Sequence, residues 1–465
     1  MSSIIAFKTL IDRWCPAFLR RYKKRIEASP IGYRMAKGAF WALAGTMLSR
    51  SLSVVSSIFV ARMLGKVGMG ELGIIQTTVG VFSAFAGLGM GLTATKYVAE
   101  YRRKDPLRAG AMLRLSALVT WISGAAMMLL MLVLAPWFAE RALAAPRLAG
   151  LLRVGAVLLL FGSVNAAQTG ALSGFEAFRT IARVNLICGL LSFPLMVGGA
   201  WWFGLEGAVV GSVSSVALNC LFNRIALQRE AAAAGVSLSA RLLPDQWAVL
   251  WRFTLPSMLS NIIYGPVTWA CSALLVNRHN GYAEMGVFNV TLNWFNAILF
   301  LPTVLGQVVL PLLSSQTAEA SHDGQKKVVA LAIKASAIAV IPITLLIACA
   351  SPLIMSLYGP GFREGWPTLV LAVLTSAILA MQSPSIQSIT ASGHMWPLFF
   401  TCVGYSVLCL GLTFELVGWG ALGLATARFL GFLANGACVL WLATKYGRGN
   451  TSSRDVVTAL QPESA

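Results

Sequence analysis

Apolar residues run along this chain in long unbroken stretches, and polar residues gather between them. Twelve stretches stand out, at 39–62, 73–95, 111–138, 150–174, 181–203, 205–228, 250–276, 283–314, 328–358, 366–392, 397–416 and 418–443. Each offers about the 20 residues that a helix needs to cross a hydrocarbon core of ~30 Å. In lipid a helix satisfies its own backbone, so the pattern predicts an all-α integral membrane protein with twelve transmembrane helices. Connections are short except at 229–249, which runs from Arg229 through an Ala-rich stretch to Pro244 and Asp245. That cytoplasmic linker divides a six-helix bundle at 39–228 from a second at 250–444. A segment at 1–38 precedes them and a tail at 445–465 follows.

Composition agrees. Of the 465 residues, 57% are hydrophobic and 11% charged, with a mean hydropathy of +0.73. A soluble domain carries about 25% charged residues, so a cytosolic enzyme, a disordered chain and a secreted disulfide scaffold are excluded. The net charge is +19. Basic residues lie between apolar spans and no soluble domain carries them, which argues against a nucleic-acid partner and for anionic membrane lipids. With the N-terminus inside, 27 Lys and Arg fall on the cytoplasmic side and seven on the other. The positive-inside rule therefore predicts both termini in the cytoplasm. Within 1–38, Ile4, Phe7, Ile11, Trp14 and Phe18 recur at helical spacing before a basic run. This reads either as an amphipathic interfacial helix or as a basic arm that only sets topology. Lys8, Asp12 and Arg13 interrupt it, so it does not read as a signal peptide. Eight scattered Cys without a CxxC, and three His, offer no metal or haem cluster. No Walker sequence is present. No catalytic residue, cofactor or metal is expected.

The two bundles repeat. Residues 60–72 align with 276–288 at an offset of 216, matching Val60/Val276, Arg62/Arg278, Gly65/Gly281, Met69/Met285 and Gly70/Gly286. The offset becomes 219 through the middle, where Gln168, Ser173 and Gly174 fall on Gln387, Ser392 and Gly393, and returns to 216 to pair Gly204, Gly207 and Asn219 with Gly420, Gly423 and Asn435. Six spans per repeat give parallel repeats, related by an axis along the membrane normal around a central cavity. Transporters that rock two bundles about a central site are built this way.

Polar residues inside spans are the functional candidates. Thr46, Arg50, Ser53 and Ser57 share one face of span 1. Span 2 carries Gln76, Gly80, Ser83 and Gly87; span 7 carries Asn261, Tyr264, Thr268 and Ser272; span 8 carries Asn289, Asn293 and Asn296. These stripes can line a cavity, although small and polar residues also serve as interhelical contacts. Arg50 and Arg428 lie near mid-span, where an arginine costs roughly 2.5–3.5 kcal/mol, and no Asp or Glu lies deep in any span. An anionic substrate would supply the missing counter-ion, with phosphate the strongest partner. The alternatives are bonding to backbone carbonyls or snorkelling for Arg50, and a structural role for Arg428.

The stretch KGAFWALAGTMLSRSLSVVSSIFVARMLGKVGMGELGIIQ from Lys37, followed by GLGMGLTATKYVAEYRRKD, resembles the start of an oligosaccharide-lipid flippase of the O-antigen and polysaccharide-export type. WRFTLPSMLSN at 251–261 and QSITASGHMWP at 387–397 are similar to the corresponding parts of the second half. The resemblance spans about 35–445 and places the chain in the multidrug/oligosaccharidyl-lipid/polysaccharide (MOP) exporter superfamily. It implies translocation of an undecaprenyl-diphosphate-linked glycan from the cytoplasmic to the periplasmic leaflet of a bacterial inner membrane. Arg50 would hold the diphosphate, the polar faces of spans 7 and 8 would meet sugar hydroxyls, and Arg62, Lys66 and Arg278 would flank the periplasmic mouth. Partners would include a polysaccharide polymerase and export machinery. The rival reading is a multidrug or cation antiporter of the same fold, which calls for an intramembrane carboxylate.

Overall fold

A computed structural model of the chain describes residues 30–237, 263–317, 322–391 and 395–446. The stretch up to residue 29, Asn261, most of the linker and the tail beyond 446 lie outside them. Every regular element among the described residues is a helix: α1 (Pro30–Gly87), α2 (Met90–Tyr101), α3 (Pro106–Trp137), α4 (Ala149–Gly174), α5 (Phe178–Ala233), α6 (Tyr264–Val276), α7 (Gly281–Thr317), α8 (His322–Cys349), α9 (Ser351–Leu357), α10 (Trp366–Ala391), α11 (Met395–Leu416) and α12 (Gly420–Tyr446).

Seven helical stretches among the described residues are long and apolar enough to cross a membrane. Three of them exceed one crossing. The 58 residues of α1 would extend about 87 Å if straight, far beyond a bilayer core. The helix breaks instead at Gly65, whose φ is 67° and ψ −174°. The break lies within the connection expected between the first two apolar runs. In α5 the break falls at Gly204, with φ 58° and ψ −132°, and α12 begins at Gly420, with φ 65° and ψ −137°. Gly204 and Gly420 are the pair matched at the 216-residue offset, and both take the left-handed backbone that only glycine adopts at little cost. Trp201, Trp202 and Phe203 precede the first turn and Trp419 the second, all exposed, as aromatic residues at a membrane–water boundary are.

Packing follows the chain. Among α1–α5 the main contacts are α1 with α5, α3 with α4, and α4 with α5; among α6–α12 they are α10 and α11 with α12, and α7 and α8 with α10. The two sets meet chiefly where α1 crosses α7, with a smaller contact between α1 and α6. At the crossing, a methyl on Gly70 would land on the carbonyl of Tyr282, and a methyl on Gly286 would land on the carbonyl of Lys66. The clash is reciprocal: each glycine faces the residue four positions before the other. Backbones approach this closely only where side chains are missing.

One large apolar core runs through this crossing and joins Val60, Met69 and Ile75 to Met285, Phe288 and Tyr358. Toward the end that loop charge assigns to the cytoplasm, the buried clusters are separate. One joins Ala94, Leu113 and Phe175 within the first set, and another joins Ile389, Val439 and Leu442 within the second. Among the described residues the buried core is continuous across the crossing, and farther from it each set keeps a cluster of its own.

Gly286→Ala should force the crossing apart and lower the thermal unfolding midpoint of the detergent-purified protein. Overpacking of this kind costs about 1–3 kcal/mol. Gly162→Ala, where an added methyl meets open space, should leave the midpoint unchanged or raise it. Equal midpoints for the two variants would show that the crossing is not tight.

Candidate functional site

A cleft of about 390 Å³ opens between α1 on one side and α7 and α8 on the other. Its walls are Met47, Val54, Val55 and Ile58 of α1, Trp294, Ala297 and Ile298 of α7, and Ile343 and Ile347 of α8, with Leu357 at one end. Arg50 and Ser51 are the polar side chains that line it. Arg50 reaches the cleft because it lies three residues after Met47 and four before Val54 on one helical face. Its side chain is exposed, and no carboxylate among the described residues pairs with it. The cleft is therefore an apolar slot with one fixed positive charge. That chemistry suits an amphiphile with an anionic group.

The end of the cleft at Leu357 is crossed by hydrogen bonds. Tyr358, wholly buried, accepts from Trp294 Nε1 at 3.0 Å and lies 3.1 Å from Ser57 Oγ. Ser57 already donates to the Val54 carbonyl at 2.7 Å, so its single proton is spent and the phenol donates to Ser57. One tyrosine thereby ties α1 to α7. Beside it, Arg62 Nε donates to the Leu357 carbonyl at 2.6 Å. Further bonds join the two sets: Tyr282 to the Leu143 carbonyl at 2.7 Å, Asn277 to the Ala142 carbonyl at 2.7 Å, and Trp269 to Thr78 Oγ1 at 3.1 Å. Glu71 pairs with Arg147 nearby.

The sequence candidates divide among several places. Arg50 lines the cleft. Arg62 holds the closure through Leu357, and Arg278 is exposed just past α6. Gln76 and Asn296 are exposed and Asn293 is half-buried. Asn289 is buried and donates to the Met69 carbonyl at 3.2 Å, so it ties the α1–α7 seam. Tyr264 packs inside the second set, stacked on Phe432 at 6.0 Å and tilted on Tyr405 at 5.3 Å. Arg428 lies there too, over Phe288 at 5.5 Å and Phe295 at 5.2 Å, with Nη1 buried and unpartnered. Thr268, Cys271, Tyr405 and Cys409 surround it. Cation–π contacts of this kind offset part of the burial cost. Asn261 lies outside the described residues. Among the described residues no group of three or more His, Cys, Asp or Glu gathers to hold a metal.

Two features escaped the sequence reading. Tyr358 sits in an apolar run with nothing local to mark it. A polar cluster within α4 and α5 had a visible signal: Asn165 with Thr169, and Asn219 with Asn223, are each four residues apart in apolar helices, a spacing that stacks side chains on one face.

Comparisons with known proteins place this geometry. A family model described as polysaccharide biosynthesis protein matches residues 35–317. The EPS I polysaccharide export inner membrane protein EpsE of Ralstonia nicotianae is 23% identical over 289 residues, covering 59% of this chain and 63% of that protein. EpsE of Ralstonia solanacearum is 25% identical over 303 residues, covering 60% and 64%. The chain thus aligns with less than two thirds of the length of these curated relatives. Among solved structures, an inward-facing multidrug resistance MATE family transporter of the MOP superfamily aligns with a TM-score of 0.66 at 17% identity, over 92% of this chain and all of that one. The eukaryotic MATE transporter AtDTX14 aligns at 0.69 and 14%, over 90% and 98%. A MOP superfamily transporter from Pyrococcus furiosus, whose binding pocket is described as of reverse polarity and suggestive of a different function, aligns at 0.59 and 17%, over 89% and 95%.

Tyr358→Phe should leave the Trp294 N–H buried without an acceptor, at a cost of about 1–3 kcal/mol. The periplasmic closure should then open more often. A cysteine placed at Val54 should react about tenfold faster with a membrane-impermeant maleimide added from the periplasmic side. An unchanged rate would show that Tyr358 does not hold the closure.

Proposed function

The chain belongs to the polysaccharide biosynthesis protein family and has the fold of the MOP transporters, and from that premise we propose that it flips an undecaprenyl-diphosphate-linked oligosaccharide across a bacterial inner membrane. The observation that carries this reading is the Arg50 cleft. A diphosphate needs a cation in a site poor in competing carboxylates, and a polyprenyl chain needs an apolar wall. One slot offers both. The protein is a transporter rather than an enzyme. The curated relatives are polysaccharide export proteins of an inner membrane, which supports the same substrate class and location.

In this reading the chain makes twelve crossings in two parallel six-helix repeats, 39–228 and 250–444. The matching left-handed turns at Gly204 and Gly420 and the reciprocal contact of Gly70 and Gly286 support it. Transport proceeds by alternating access. The headgroup enters from the cytoplasmic side, where the buried clusters are separate, and leaves when the Tyr358 and Arg62 bonds break. The lipid tail stays in the bilayer throughout. A polymerase and export machinery would receive the product.

A second reading, a multidrug or cation antiporter, has its own support. The aligned solved structures cover about nine tenths of the chain and include multidrug MATE transporters, so the comparisons back it over more of the chain than they back the first. The geometry weighs the other way. An organic cation entering the cleft meets the Arg50 guanidinium and no carboxylate. The fold itself carries more than one pocket polarity, as the Pyrococcus furiosus transporter is described to do.

Deletion of the protein followed by extraction of lipid-linked intermediates separates the two. Accumulation on the cytoplasmic face is expected, and a normal lipid-linked glycan with altered drug resistance would establish the antiporter instead. Arg50→Ala should reduce transport by about tenfold or more, the loss of a charge-assisted contact to the substrate, and Arg50→Lys should retain part of it. Wild-type transport by Arg50→Ala would remove the assignment.

A further inference from the structure

We propose that a groove between α11 and α12 holds one acyl chain of an anionic phospholipid, whose phosphate is met by Lys445. The groove encloses about 450 Å³ and shares no residue with the Arg50 cleft. Small residues floor it, Gly404 on α11 and Ala434 on α12, both exposed. A methyl on Gly404 would meet nothing within 4 Å. Large apolar side chains stand on either side, Phe400 and Leu408 from α11 and Trp441 from α12, all exposed. Beneath the floor the helices are joined, since buried Asn435 donates to the Thr401 carbonyl at 3.1 Å. The groove is therefore a trough on the outside of a packed helix pair.

Its dimensions select the occupant. Along α11 the lining runs from Pro397 to Leu408, about 16 Å at the helical rise. That is about half of a hydrocarbon core of ~30 Å, or one leaflet. The volume spread over that length leaves a cross-section of about 30 Å², whereas a helix ~10 Å across needs about 80 Å². A single hydrocarbon chain enters such a trough and a partner helix does not. Polarity gives the direction. Trp396 and Trp441 are exposed at one end, and indoles mark the headgroup level. Lys445, one turn after Trp441, holds its ammonium 5.0 Å from that ring. No carboxylate lines the groove. An apolar trough one leaflet deep with a cation at its mouth complements a lipid that carries net negative charge. The inference stands apart from the substrate assignment: lipid binding is measured on the protein alone, so its failure leaves the Arg50 reading untouched.

The experiment is native mass spectrometry of the full-length, delipidated protein in detergent, titrated with phosphatidylglycerol and with phosphatidylcholine of the same acyl chains. The first phosphatidylglycerol should bind about fivefold more tightly than the first phosphatidylcholine, the worth of one lysine at a membrane surface. Gly404→Phe fills the trough and should weaken that first site about tenfold. Gly411→Phe, seven residues on along the same helix face, outside the groove and also open to an added side chain, should leave it unchanged. Lys445→Gln, at an exposed position, should make the two lipids equal while a chain still binds. Equal binding of the two lipids by the unaltered protein, or a first site that Gly404→Phe does not weaken, would mean bulk lipid only and would overturn the proposal. So would displacement of phosphatidylglycerol by undecaprenyl phosphate at equal concentration, since the groove would then belong to a polyprenyl chain.

Discussion

The fold depends on the place where α1 and α7 cross glycine against glycine. Gly70 and Gly286 bring two backbones together so that neither could carry a methyl group. In lipid the hydrophobic effect gives helices no reason to associate, so close packing and interhelical hydrogen bonds must hold them. The crossing supplies the packing, and Asn289 adds a bond to the Met69 carbonyl beside it. With the two sets pinned there, the large core is continuous at one end and divides into separate clusters toward the other.

Charge placement follows from that geometry. Where the two sets are joined, polar side chains are held in pairs. Tyr358, Trp294 and Ser57 share one set of bonds, Arg62 has the Leu357 carbonyl, and Glu71 has Arg147. Arg50 lies beyond the closure in an apolar cleft without such a partner. The two mid-span arginines solve the cost of burial differently. Arg428 leans on the faces of Phe288 and Phe295 inside one set, whereas Arg50 faces open space between the two. The difference separates a residue held by its own bundle from one whose charge is left exposed in the cleft.

Much of this was legible in the sequence because a bilayer imposes simple rules. Long apolar runs became helices, and the 216-residue offset located glycines that share an unusual backbone. Arg50 was identifiable as a charge without a neighbour. Other assignments needed three dimensions. The Asn stripe of α7 does not act as a unit, since Asn289 turns to the seam while Asn296 is exposed. Tyr264 joined an aromatic stack with residues about 140 and 170 positions away. Arg62 was expected at the mouth and is found bonded to a carbonyl of the short helix α9. Period and composition fix which face a residue occupies, not which neighbour arrives there.

The aromatic residues around Gly204 and Gly420 carry one more consequence. Indole rings favour the headgroup layer and resist moving either deeper or out. Trp201 and Trp202 on one set, and Trp419 on the other, therefore act as floats that keep both outer ends level with the membrane surface. On the proposed rocking cycle, moorings of this kind oppose a vertical slide of one set past the other. What they leave free is a tilt of each set, which can open the outer end as well as the inner one.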